Sequence, residues 1–142
     1  MQTVRKSALV ARSAQAMFDL VEDIERYPQF LPWCSGTKVL ERTPETTRAR
    51  IDIDYRGLVT HICTVNRKHE PQAMDMELDE GPFDSFRGRW SFTPLGEDGC
   101  RAEFVLDYAF SSAAMSVVLA PVFGHIAETL VERFVARAED RP

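Results

Sequence analysis

The sequence predicts an α+β fold: a curved antiparallel sheet of about seven strands wrapped around a long C-terminal helix, with two short helices after the first strand. Three observations carry this prediction. From Ala49 to Phe110, apolar residues recur at every second position along most of the stretch, the period of strands with one buried and one wet face. The connections between these runs are short, which makes successive strands antiparallel neighbours. After Ser112 the period changes: Leu119, Phe123, Ile126, Leu130 and Phe134 follow at three- and four-residue steps, as one long amphipathic helix requires.

Thr3 to Val10 reads as the first strand. Ser13 is a good N-cap, its hydroxyl able to take an orphan amide of the first turn, for a helix through Ala16, Phe18, Leu20, Val21 and Ile24. Pro28 is expected to end that helix. The segment Tyr27-Pro28-Gln29-Phe30-Leu31-Pro32-Trp33-Cys34 is too broken by proline for a long helix and predicts one short helical turn. A strand near Thr37–Arg42 follows, and six strands in all form a meander. Arg56-Gly57, Glu70-Pro71-Gln72, Glu80-Gly81-Pro82-Phe83 and Gly96-Glu97-Asp98-Gly99 are its turns, with Gly57 supplying a positive φ. The last helix runs from Ser112 to about Ala138, and Pro121 inside it predicts a kink or a break.

Alternation also predicts strand register. A compact turn at Glu80–Phe83 sets Glu77 opposite Arg87 and Asp75 opposite Arg89. It sets Met74 against Trp90, and Leu78 against Phe86, on the other face. A turn near Glu97 brings Arg87 beside Asp107 and Trp90 beside Phe104. Opposite charges then meet outside and aromatics inside, each pair contributing a few tenths to about 1 kcal/mol. A slip of one residue inverts every face.

At 142 residues the chain suits one domain, 1–142, with a core of ordinary size. Hydrophobic residues at 44% and charged residues at 27% match a soluble globular protein. No apolar run approaches the roughly 20 residues that span a bilayer, and the N-terminus shows no secretory pattern. Cys34, Cys63 and Cys100 are odd in number and widely spaced, which predicts reduced thiols in a cytoplasm. A net charge of −5 weighs against nonspecific nucleic-acid binding, and no DNA partner is expected. There is no Gly-x-Ser-x-Gly elbow, phosphate-binding loop or dinucleotide fingerprint. His61, His69 and His125 have no partner at metal-ligand spacing, so neither a metal nor a catalytic residue is expected. Cys34 reads as a buried structural thiol without a histidine to activate it.

Four blocks are distinctive together: Tyr27 to Cys34, Glu80-Gly81-Pro82-Phe83, Gly88-Arg89-Trp90-Ser91-Phe92-Thr93-Pro94-Leu95, and Cys100-Arg101-Ala102-Glu103-Phe104. Through them nearly the whole chain resembles the START-like, helix-grip superfamily. Within it the chain is similar to the branch of RatA and the coenzyme Q-binding proteins, described as polyketide cyclase and lipid transport-like. The resemblance implies non-enzymatic binding of a hydrophobic ligand, a ubiquinone, other prenyl quinone or lipid, beneath the C-terminal helix in support of respiration. It leaves two alternatives: a factor that binds the large ribosomal subunit and hinders subunit joining, and, ranked last, a polyketide aromatase/cyclase. Localisation would be cytoplasmic, with peripheral contact at the inner membrane under the first reading.

Parity and helix spacing nominate the ligand-lining side chains. They are Phe18 and Trp33 near the first helices, and Tyr55, Thr60, Met74, Met76, Trp90, Phe92, Phe104 and Tyr108 on the strands. Phe123, Ile126 and Leu130 complete the set on the last helix. Such a wall is core in most proteins. Flexible Met74 and Met76 suit varied apolar partners, and Thr60, Thr64 and Tyr108 bring polar tips that a dry core must satisfy. Burying one five-carbon isoprene unit contributes up to about 3–4 kcal/mol. Tyr27, Phe30, Leu31 and Trp33 read either as a plug for one end of the sheet or as a lid able to touch a bilayer surface. The basic residues Arg48, Arg50, Arg56, Arg67, Lys68, Arg87, Arg89 and Arg101 read either as an RNA-facing patch or as a cross-strand charge ladder.

Overall fold

The computed structural model describes residues 2–140. Seven strands form one antiparallel sheet: β1 (Gln2–Val10), β2 (Cys34–Arg42), β3 (Thr46–Tyr55), β4 (Leu58–His69), β5 (Ala73–Glu80), β6 (Phe83–Pro94) and β7 (Cys100–Phe110). Their order is β1-β7-β6-β5-β4-β3-β2, so the meander runs outward from β7 and β1 returns to its free edge. Helix α1 (Ala14–Glu22), a 3-10 segment (Ile24–Gln29) and the long helix α2 (Ala113–Asp140) complete the fold. This is the α+β helix-grip arrangement that the residue pattern predicts.

Local chemistry explains most boundaries. Ser13 caps α1, its Oγ accepting from the Ala16 amide at 3.1 Å. The β3–β4 connection has positive φ at both Arg56 (51°) and Gly57 (85°), as a two-residue turn matched to strand twist demands. The Arg56 guanidinium covers the Tyr55 ring at 4.9 Å. On the outer face Asp75 pairs with Arg89 and Glu77 with Arg87, while Met74 meets Trp90 inside. Arg87 meets Asp107 and Trp90 meets Phe104 across the next strand pair. The predicted faces therefore hold.

Five expectations are corrected. Helix α1 ends at Glu22, where Asp23 leaves helical geometry at ψ 62°; Ile24 and Pro28 belong to the 3-10 segment that follows. Strand β2 starts at Cys34, three residues ahead of Thr37. The β5–β6 ladder ends at Glu77–Arg87, so Leu78 and Phe86 are not paired: the last residues of β5 follow β4 instead. Pro121 lies inside one continuous α2, which removes the expected break into two pieces. It is exposed, so the carbonyl deprived of a donor one turn earlier can be met by water. Finally, α2 is by length and composition apolar enough to cross a bilayer; the stretch from Ala109 to Gly124 has no ionisable residue. Its stripe of Leu119, Phe123, Ile126, Val131 and Phe134 is buried, as in the core helix of a sheet-and-helix domain.

Candidate ligand cavity

Between the concave face of the sheet and α2, the core is an aromatic stack. Trp90 faces Phe104 at 4.8 Å, Phe92 at 5.8 Å and Phe134 of α2 at 5.2 Å. A second group at the other end joins Phe83, Tyr108 and Phe123, with ring centres 5.0 Å apart for Phe83–Phe123 and 4.8 Å for Tyr108–Phe123. A cavity of about 60 Å³ remains under α2 between these groups.

Seven of the nominated side chains border it: Trp33, Met76, Trp90, Phe104, Phe123, Ile126 and Leu130. Six do not. Phe18 and Phe92 pack edge to face on one another at 6.4 Å, and Met74 is buried in the core cluster. Tyr108 is taken up by Phe83 and Phe123. Tyr55 stacks on His125 at 6.1 Å, joining the β3–β4 hairpin to α2. Thr60 is half-buried near that hairpin. The wall also includes Tyr27, Leu31, Ile51, Ile53, Ile62, Thr64, Asn66, Phe86, Leu106, Ala127 and Phe134. Parity alone reaches Ile62, Thr64 and Asn66 by stepping on from Thr60.

Those polar residues distinguish the cavity. Trp33 Nε1, Thr64 Oγ1 and Asn66 Oδ1 are buried without a hydrogen-bond partner, and all three residues border the same space. An unmet buried polar atom costs about 1–3 kcal/mol, so the cavity has reason to hold water or the polar head of a ligand. Its volume has room for a few waters. Among the described residues, the only ionisable group on the wall is Tyr27. Its hydroxyl donates to the Val21 carbonyl, and burial pushes the phenol far above its ordinary range. Among the described residues, no carboxylate, imidazole or amine borders this wall.

The aromatic segment is a plug. Tyr27, Leu31 and Trp33 are buried, and Phe30 packs on Phe134 at 5.1 Å beneath the Arg137 guanidinium. Tyr27, Leu31 and Trp33 face inward and close one end of the sheet, while Phe30 is half-buried. The basic residues form a cross-strand ladder only in part, and Arg50 pairs within its own strand. Arg89 binds both oxygens of Asp75 at 2.8 and 2.9 Å, Arg48 meets Asp79 at 3.5 Å, and Arg50 meets Asp52 at 2.7 Å. Lys68 turns inward to Glu22 at 2.6 Å.

The cysteines are free and buried. Burial pushes the Cys34 thiol up to about 11 and also raises Cys63 and Cys100, so none is poised as a nucleophile. One expectation about metal ligands is corrected. Linear spacing gives His61 no partner, but strand pairing brings His61, Cys63 and Glu80 together, with one donor atom from each lying within 4.8 Å of the others.

A family described as polyketide cyclase / dehydrase and lipid transport matches residues 10–135. The chain belongs to this family. It is 38% identical over 140 residues to the ribosome association toxin RatA of Escherichia coli (strain K12), covering 99% of this chain and 89% of that protein. It is 26% identical over 137 residues to the mitochondrial coenzyme Q-binding protein COQ10 homolog B of Xenopus laevis, covering 94% of this chain and 56% of that one. A START superfamily protein of Mycobacterium smegmatis has the same fold, with a TM-score of 0.81 at 26% identity over 97% of both chains. START-like membership, expected from the four sequence blocks, thus stands on sequence and fold together.

Proposed function

We propose that this protein is a RatA-type ribosome-association factor that contacts the large ribosomal subunit through its outer surface. The observation that carries this reading is the 38% identity to RatA along almost the full length of both chains. The interior favours the same choice. A cavity of about 60 Å³ is smaller than the roughly 150 Å³ that accommodates benzene, and far below the roughly 300 Å³ at which ligand pockets begin. A prenyl quinone does not enter it unless α2 moves. Ribosome association is cytoplasmic work, and this reading needs no membrane contact.

Sucrose-gradient sedimentation with separated subunits tests the proposal. The protein should co-migrate with the large subunit and lower the yield of joined ribosomes. Protein that stays at the top of the gradient with either subunit would overturn it. Arg48→Glu with Arg50→Glu, on half-exposed side chains, asks whether that part of the outer face makes the contact.

A second reading, binding of a polar-headed lipid or quinone, is supported by Trp33, Thr64 and Asn66, each with an unmet polar atom at the cavity. Organic extraction of purified protein followed by mass spectrometry checks it; recovery of no lipid counts against it. An aromatase/cyclase role has the weakest support, since the cavity wall lacks an acid–base pair.

A further inference from the structure

We propose that the outer face of the sheet holds a site for a zinc-class divalent cation, formed by His61 Nε2, the Cys63 thiolate and Glu80. His61 and Cys63 are two residues apart on β4 and point to the same, outer face. Their inward neighbours Ile62 and Thr64 border the cavity on the opposite side. The proposed site is therefore separate from the interior and does not depend on what the cavity binds.

Glu80 reaches this face because of a bulge. The β4–β5 register runs Thr64↔Leu78 and then shifts, so that Cys63 faces Glu80 and Asp79 is the extra residue. A regular strand sends consecutive side chains to opposite faces. Here Asp79 meets Arg48 at 3.5 Å and Glu80 meets His61 at 3.1 Å, so two successive carboxylates serve the same face. Re-aiming a side chain in this way is a common use of bulges.

The donor set is one imidazole nitrogen, one sulfur and one carboxylate oxygen. Sulfur argues against magnesium or calcium, and the mixture suits zinc or its close chemical relatives. In a tetrahedral zinc site with bonds of about 2.0–2.3 Å, donor atoms lie roughly 3.3–3.8 Å apart. The three donors already lie within 4.8 Å of one another, so small side-chain rotations suffice. His61 and Glu80 are partly exposed, at 34% and 67% of their side chains, which leaves the fourth position to water.

The charges around the site are arranged to admit a cation. Arg50 pairs across the strands with Cys63 but its guanidinium is held by Asp52 at 2.7 Å, and Arg48 is engaged by Asp79. Each guanidinium has a carboxylate of its own, and Glu80 meets His61, its fellow donor. Binding forms the sulfur–metal bond as the S–H proton passes to solvent.

Cobalt(II), a spectroscopic stand-in for zinc, tests the proposal on the full chain. Titration should produce tetrahedral d–d bands and a thiolate-to-cobalt charge-transfer band, both saturating at one equivalent and both abolished by added zinc. Cys63→Ser should lose the charge-transfer band. His61→Ala and Glu80→Gln should each weaken binding about tenfold or more. These two lie on partly exposed side chains and decide the matter if the cysteine variant fails to fold. Absence of a charge-transfer band in the wild type would overturn the proposal. So would a band that survives in Cys63→Ser, which would assign the thiolate to Cys34 or Cys100.

Discussion

The Lys68 ammonium lies 2.6 Å from Glu22 Oε2, with only 7% and 17% of the two side chains exposed. It ties the end of α1 to β4. Thr47 donates to the same oxygen at 2.9 Å, Arg42 approaches it at 3.2 Å, and Lys68 also donates to the Thr43 carbonyl at 2.8 Å. Removing one partner of such a pair strands the other in a poorly solvated place. Lys68→Met is expected to lower unfolding free energy by about 3 kcal/mol. Lys68→Met with Glu22→Leu should be less unstable than the sum of the single changes, which a urea double-mutant cycle reads directly.

Phe134 holds the roof to the plug. Its ring meets Tyr27 at 5.3 Å, Phe30 at 5.1 Å and Trp90 at 5.2 Å, with steep interplanar angles throughout. Phe134→Ala is expected to cost about 3–5 kcal/mol and to enlarge the cavity it borders. Chemical denaturation gives the loss. Binding of a small apolar probe such as indole to the variant, but not to the wild type, reports the added space.

Thr64 is fully buried and its hydroxyl has no partner. Thr64→Val keeps the shape and removes the unmet group, so the variant should match the wild type or exceed it by up to about 1 kcal/mol. A loss of that size instead would mean that water or a ligand head uses the hydroxyl. Melting curves of protein before and after organic extraction separate those two causes.

The thiols predict both a reactivity and a pH effect. With all three cysteines buried, a thiol reagent at neutral pH should react slowly with the native chain and quickly with all three after urea. Cys34 rises from 9.0 to about 11 on folding, chiefly through burial. Between those values the unfolded chain has lost this proton while the folded chain keeps it. Stability should therefore fall as pH rises through that window. Cys34→Ala should flatten the alkaline limb of a stability–pH curve, whatever its effect at neutral pH.

Much of the fold is legible in local chemistry. The Ser13 cap, the Arg56-Gly57 turn and the Asp75–Arg89 and Trp90–Phe104 pairings follow from residue type and parity, because strand geometry is the same wherever it occurs. The failures are equally local in origin. Leu78 and Phe86 part company because a bulge at Asp79 pulls the end of β5 toward β4, and bulges leave no alternation signal of their own. The wall residues Leu31 and Ala127 come from a proline-broken loop and an unremarkable helix position.

The sequence by itself determined which face of each strand is apolar, which charges meet outside, and that a long helix must cover the inner wall. Only the tertiary structure decided how much room is left beneath that helix, which polar atoms go unmet there, and that His61, Cys63 and Glu80 converge. Alternation is a property of one strand and its pleat. A cavity volume is the small remainder after many side chains from distant segments have packed, and a three-residue cluster depends on a register that one extra residue resets.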